Sequence, residues 1–138
     1  MVLKVEKMLI LDTSILIELE RKNEKLIYFL REYILKYPTK PYITAPTYSE
    51  FYYTYVGKKA IEQKNARLFL EAYEILHTTR KSSELLAQIK HFLDREGRSI
   101  PIFDAVIASI VLDNNATLLT SDSHFKRVPN LSVIIFSV

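Results

Sequence analysis

The 138-residue chain contains no cysteine and no tryptophan, and it has only two glycines and five prolines. The absence of cysteine excludes disulfides, zinc–thiolate sites and thiol nucleophiles, and it predicts a reducing compartment, the cytoplasm. So little glycine and proline excludes collagen-like and long flexible segments. No apolar run reaches the roughly 18 residues of a membrane span. The length and the 49% hydrophobic content predict one domain over residues 1–138.

Lysine and arginine are missing from three long windows, 8–20, 41–57 and 99–125, although the whole chain carries a net charge of +3. Each window holds at least one acid among apolar or aromatic neighbours, and four of these stand out: Asp12, Glu50, Asp104 and Asp122. A carboxylate in apolar surroundings must be protonated, paired or bound to a cation. The partner of these acids could be a lysine or arginine from elsewhere in the fold, or it could be a bound metal ion. The sequence leaves both alternatives open.

Without these four acids, 12 acidic residues remain against 19 lysines and arginines, a net charge of +7. If the four share a pocket, the protein has an acidic centre in a basic surface, which favours an enzyme that attracts a polyanion and binds a cation. The plainer interpretation is that the lysines only solubilise helix faces. Taken singly, each aspartate is typical of a helix N-cap, and Glu50 is typical of a solvated helix face.

The hydrophobic pattern predicts strands that alternate with helices. The strands are predicted at 7–11, 41–44, 116–120 and 131–136, and a turn at 121–125. The helices are predicted at 15–21, 23–37, 45–56, 58–76, from Ser82 or Ser83 to 95, and 104–113. This order predicts an α/β fold with a mostly parallel sheet between helices. Such sheets bind ligands at the carboxyl ends of their strands, and Asp12 and Asp122 each follow a strand.

Four segments resemble, in order, the motifs of the PIN domain family: 9–14 (LILDTS), 49–51 (SEF), 103–108 (FDAVIA) and 118–125 (LLTSDSHF). The chain is also similar in size to the VapC-type toxins of toxin–antitoxin pairs. It departs from the family pattern at Asn114 and Asn115, where a glycine is common, and in its aromatic-rich segment 48–55.

The resemblance implies a PIN-like α/β/α sandwich and a Mg²⁺- or Mn²⁺-dependent ribonuclease that leaves a 5′-phosphate and a 3′-hydroxyl. It also implies an RNA substrate, a homodimer and a cognate antitoxin. Since Mg²⁺ prefers oxygen ligands, Asp12, Asp104 and Asp122 are assigned to the metal, directly or through water, and Glu50 completes the site or positions the attacking water. Further assignments are carboxylate or phosphate orientation by Thr13, Ser14 and Thr120, and RNA-backbone contact by Arg98, Lys126 and Arg127. His124 is a candidate for phosphate contact or proton transfer, although a histidine in a turn is more often only packed.

Two alternatives stay open on the sequence. The chain could be a PIN nuclease of RNA processing or decay that has no antitoxin. It could also be a non-catalytic interaction module, with the tyrosine-rich segment 48–55 and the amphipathic segment 58–76 as its binding faces. Metal binding that depends on Asp104 separates the enzyme from the module.

Overall fold

The computed structural model describes residues 8–138, so that Lys7, the first residue of the first predicted strand, lies outside the described residues. Strands and helices alternate along this part of the chain. The strands are β1 (Leu9–Leu11), β2 (Pro41–Thr44), β3 (Glu74–Leu76), β4 (Thr117–Thr120) and β5 (Ser132–Ile135). The helices are α1 (Thr13–Glu20), α2 (Glu24–Lys36), α3 (Ala45–Tyr53), α4 (Ala60–Leu70), α5 (Arg80–Arg95) and α6 (Ile102–Asp113), and a 3₁₀ helix covers Ser123–Arg127.

The five strands form one parallel sheet in the order β3-β2-β1-β4-β5. The chain builds outward from β1 to β2 and β3, and then returns to the other side of β1 to add β4 and β5. The reversal of direction lies between β1 and β4, where Ile10 pairs with Leu118. In parallel sheets, such a reversal opens a crevice at the carboxyl ends of the two strands.

Helices cover both faces of the sheet, because successive strand side chains point to opposite sides. On β1, Ile10 packs into a core with residues of α5 and α6, such as Leu93 and Ile107. Leu9 and Leu11 pack into a second core with residues of α1 to α4. All three β1 side chains are fully buried. The α/β/α sandwich predicted from the sequence is confirmed, and its sheet is entirely parallel.

The predicted helix over 58–76 is confirmed only as α4, Ala60–Leu70. Its last part is wrong, because the segment Glu74–Leu76 is the edge strand β3. Ile75 and Leu76 prolong the helical spacing of apolar residues, so the pattern alone cannot mark the break. The break is fixed by pairing with β2, in which Ile43 lies opposite Ile75. Such non-local backbone pairing overrides local periodicity.

The predicted start of α2 is confirmed, whereas the predicted start of α5 is wrong. Asn23 caps α2 as predicted, accepting a hydrogen bond from the Leu26 N–H. The cap of α5 is Thr79, however, and neither Ser82 nor Ser83. Thr79 accepts from the Ser82 N–H, while the Ser82 hydroxyl oxygen accepts from the Thr79 N–H, so that two otherwise free backbone donors are satisfied.

Further boundaries differ from the predictions, among them the end of α3 and the starts of α1 and α6. Helix α3 ends at Tyr53 rather than at Val56, and α6 begins at Ile102, two residues before Asp104. Pro101 stands at the N-cap of α6, so Asp104 lies inside the first turn and is not a cap. Within residues 8–138, every helix is too short or too polar to cross a membrane.

Candidate metal centre at the sheet edge

Asp12 directly follows β1 and occupies the N-cap position of α1. Its side chain does not cap the helix; instead Oδ2 accepts hydrogen bonds from Thr120 Oγ1 at 2.7 Å and from Ser14 Oγ at 3.2 Å. The residue is only 6% exposed. Burial raises the pKa of Asp12 above its ordinary value, and the hydroxyl donors offset part of that rise. Asp12 is therefore the N-cap residue by position, as predicted, but its side chain bonds to Thr120 and Ser14 instead of capping the helix.

Two hydroxyls join the end of β1 to the end of β4. Besides donating to Asp12, Thr120 Oγ1 accepts a hydrogen bond from the Asp122 N–H at 3.0 Å. Ser14 Oγ donates to the same carboxylate and accepts from the Ser121 N–H at 3.1 Å. Because the loop after β4 is tied to Asp12 in this way, the positions of Asp12 and Asp122 depend on each other.

Glu50 lies on α3 and faces α1 rather than open solvent. Thr13 donates its hydroxyl hydrogen to Glu50 Oε1 at 3.0 Å. The carboxyl group is half-buried, and burial followed by the charge of Asp12 raises its pKa. The interpretation of Glu50 as a solvated helix residue is therefore wrong.

Asp104 points from the first turn of α6 toward the other three acids. Its half-buried carboxyl group has a pKa raised to about 6, first by burial and then by the negative charges of Asp12, Asp122 and Glu50. Four acids from four distant segments thus act on one another at the carboxyl edge of the sheet. This repulsion is relieved when a proton or a cation is bound.

Asp122 caps the 3₁₀ helix, since Oδ1 accepts from the His124 N–H at 2.9 Å. The ring of His124 folds back over the same carboxylate, with Nδ1 3.1 Å from Asp122 Oδ1. One ligand atom each from Asp104, Asp122 and His124 lie within 4.8 Å of one another. Two carboxylates and an imidazole at this spacing form a donor set that fits a divalent cation. Asp12 is not part of this group and is more deeply buried.

The ion pairs found within residues 8–138 leave these acids free of lysine and arginine. The cations of the pairs that do form are Arg21, Lys40, Lys90 and His124, and only His124 contacts one of the four acids. The alternative of a lysine or arginine brought from elsewhere in the fold is thus wrong for the described part of the chain. Protons or a bound cation remain as the means of neutralising the cluster.

The three basic residues assigned to RNA lie next to this cluster in sequence. Lys126 is exposed and Arg127 is partly buried, both on the 3₁₀ helix that Asp122 caps, and Arg98 is exposed in the loop before α6. Arg127 donates a guanidinium hydrogen to the Ser99 carbonyl at 3.0 Å, which ties the two segments together. Cationic side chains therefore border the acidic edge.

Sequence reasoning left His124 out of the metal set. The sequence feature that could have indicated His124 as a ligand is its position two residues after Asp122. A short turn can place the side chains of two such residues on the same side of the backbone. That spacing becomes informative only when the 3₁₀ helix is known to form there.

Three comparisons with known proteins agree with this architecture. A family model described as "PIN domain" matches residues 9–131. Ribonuclease VapC2 of Rickettsia felis is 32% identical over 124 residues, which cover 88% of this chain and 92% of that protein. The chain therefore belongs to the PIN domain family and is a VapC-type member of it.

Solved structures show the same relationship. A chain of VapBC2 from Rickettsia felis, bound to a DNA fragment from its promoter, superimposes with a TM-score of 0.82 at 25% identity, over 94% of this chain and 99% of that one. A chain of VapBC-1 from nontypeable Haemophilus influenzae superimposes with a TM-score of 0.80 at 27% identity, over 93% and 97% of the two chains. The fold and the family inferred from the motifs are confirmed.

Proposed function

We propose that this protein is a divalent-metal-dependent endoribonuclease and the toxin of a VapBC-type pair. The observation that carries the proposal is the convergence of Asp12, Glu50, Asp104 and Asp122 at one sheet edge, without a lysine or arginine partner among residues 8–138. A cluster of this kind is unfavourable unless it binds protons or cations, and a metal ion neutralises several carboxylates at once. The family match and the VapC2 relative support RNA as the substrate.

Asp104 and Asp122 would hold the cation, and Asp12 would act on it through water from its more buried position. Oxygen ligands of this kind fit Mg²⁺ and Mn²⁺. A bound cation would supply positive charge to the scissile phosphate and lower the pKa of a coordinated water. The hydroxyls of Thr120 and Ser14 fix the Asp12 carboxylate so that it needs no rearrangement when RNA binds.

Glu50 is assigned to the attacking water. Thr13 occupies Oε1, so Oε2 is left to accept a proton from water. The raised pKa of Glu50 brings the carboxylate closer to the basicity that proton transfer near neutral pH requires. Arg98 and Lys126 are assigned to backbone phosphates on the RNA, which the positive surface attracts over a distance.

The antitoxin and a homodimer are proposed from the VapBC relatives. A cavity of about 270 Å³ lies between α1 and α3, with Glu50 in its wall, and it adjoins a second cavity of about 480 Å³ that reaches α4. The two share Glu20, Phe51 and Tyr55. This groove gives a protein partner access to the acidic edge, which supports control of the site by a bound antitoxin.

The decisive experiment measures cleavage of single-stranded RNA by highly purified protein, with and without EDTA. We expect Mg²⁺ or Mn²⁺ to restore activity after EDTA, and Asp12→Asn and Asp104→Asn each to reduce it by about 100-fold or more, because each removes negative charge that the cation needs. Asp113→Asn, at the far end of α6, is the matched control and should retain activity. Full metal-dependent activity in both site variants would contradict the assignment.

The toxin role is tested in cells. Induced expression should stop growth, and co-expression of a small protein encoded next to this gene should restore it. Growth arrest that no neighbouring gene relieves would instead favour an RNA-processing nuclease without an antitoxin. Absence of both cleavage and millimolar metal binding would favour the interaction module.

A further inference from the structure

His124 is the one nitrogen donor in the candidate metal centre, and its position is fixed by the local backbone. The 3₁₀ helix Ser123–Arg127 begins directly after Asp122, and the His124 N–H donates to Asp122 Oδ1 at 2.9 Å. This places the imidazole on the same side as the carboxylate, with Nδ1 3.1 Å from Oδ1. The His124 side chain is 46% exposed, so a hydrated cation can reach it.

The spacing of the donor atoms agrees with a shared cation. Neighbouring ligands of an octahedral ion with bonds of about 2.1 Å lie roughly 3.0 Å apart. The 3.1 Å between His124 Nδ1 and Asp122 Oδ1 matches that spacing, and an Asp104 oxygen completes a group within 4.8 Å. In neutral imidazole only one ring nitrogen carries a hydrogen; with that hydrogen on Nε2, Nδ1 keeps a lone pair for the cation that it would share with Asp122 Oδ1.

We propose that His124 binds the divalent cation through a ring nitrogen, together with Asp104 and Asp122, and that the centre consequently prefers Mn²⁺ to Mg²⁺. The inference rests on the proposed function and adds a ligand to its four acids. Mg²⁺ is a hard ion that keeps oxygen ligands and water, whereas Mn²⁺ is a first-row transition metal that suits carboxylates and accepts an imidazole more readily than Mg²⁺ does. A nitrogen ligand therefore raises the affinity for Mn²⁺ more than that for Mg²⁺.

Pulsed electron paramagnetic resonance on the full chain loaded with Mn²⁺ tests the inference without reference to activity. We expect a nitrogen hyperfine coupling in the wild-type protein that disappears in His124→Gln. His77→Gln and His91→Gln are the matched controls, because both residues are exposed and lie outside the ligand group; both should keep the coupling. Circular dichroism checks that each variant is folded.

Isothermal titration gives the second measurement. We expect His124→Gln to lower the affinity for Mn²⁺ about tenfold or more, while the affinity for Mg²⁺ changes much less. Mn²⁺ bound without nitrogen coupling would overturn the role of His124 and leave the metal-dependent nuclease standing. Failure of the wild-type protein to bind either metal would overturn both proposals, so the two failures are distinguishable.

Discussion

Thr120 donates a hydrogen bond to Asp12 Oδ2 at 2.7 Å, although the two residues are 108 positions apart in sequence. They are neighbours because β1 and β4 pair in parallel, with Leu11 opposite Leu119, so that both residues stand at the carboxyl end of the sheet. A hydroxyl donor to a buried carboxylate stabilises its charged form. This bond therefore links the sheet register to the charge of the candidate site.

Thr120→Val should destabilise the metal-free protein by about 1–3 kcal/mol, because Asp12 loses a donor and the Asp122 N–H loses its acceptor. Thr117→Val is the matched control on the same strand, where the hydroxyl bonds to Ser132 Oγ and not to a carboxylate, and it should cost less. Urea unfolding in EDTA at neutral pH measures both. Equal losses of unfolding free energy in the two variants would show that the hydrogen bond to Asp12 stabilises the protein no more than the one to Ser132 does.

The metal-free protein should lose stability as pH rises through the titration of Asp104. Its pKa is raised from an ordinary 3.8 to about 6, so between these values the folded state holds a proton that the unfolded state has released. Proton binding by Asp104 therefore stabilises the folded state near pH 4. This stabilisation decreases as the pH rises and is lost above pH 6. Because Asp104 is half-exposed, solvent screening limits the change to about 1–2 kcal/mol.

Asp104→Asn isolates this effect, since asparagine does not titrate. The wild-type free energy of unfolding, minus that of the variant, should fall between about pH 4 and pH 7 in EDTA. Chemical denaturation at several pH values measures the difference. A difference independent of pH would mean that Asp104 titrates alike in the folded and unfolded states.

Divalent metal should stabilise the folded protein. Mn²⁺ at about 100 times its dissociation constant should add about 2.7 kcal/mol to the free energy of unfolding, if the unfolded chain does not bind it. Asp104→Ala should abolish the gain, and Asp113→Ala should preserve it, because Asp113 lies at the other end of α6 and bonds to Thr79. Thermal unfolding with and without Mn²⁺ is the measurement, and an equal gain in both variants would place the metal elsewhere.

The two glycines should respond differently to alanine. Gly97 follows α5 with φ of 66°, a left-handed conformation in which a Cβ is strained, so Gly97→Ala should cost about 1 kcal/mol. Gly57 does not have a positive φ, and a Cβ there would meet nothing within 4 Å. Gly57→Ala should be neutral or slightly stabilising, because it restricts the unfolded chain. Urea unfolding of the pair tests this, and a similar cost for both variants would contradict it.

Much of the fold was predictable because its information is local. The apolar run of β1 and its following Asp12 predict a strand-to-helix junction, and Asn23 and Gly97 mark the start of α2 and the end of α5 through their own backbone preferences. Each family motif is a short stretch of sequence, and the motifs follow one another in family order. The family could therefore be inferred from the sequence alone. Among residues 8–138, Asp12, Glu50, Asp104 and Asp122 in the cation-free windows have no lysine or arginine partner, although Glu18 in the first window pairs with Arg21.

The tertiary structure decided what depends on neighbours distant in sequence. Strand β3 exists because it pairs with β2, and Glu50 is half-buried because α1 brings Thr13 to its carboxylate. His124 joins the acids because the 3₁₀ helix turns it over Asp122 while α6 delivers Asp104 to the same edge. A single sequence specifies each residue's chemistry and local preference, whereas the distances between carboxylates, hydroxyls and imidazole arise only when the parallel sheet aligns the ends of its strands.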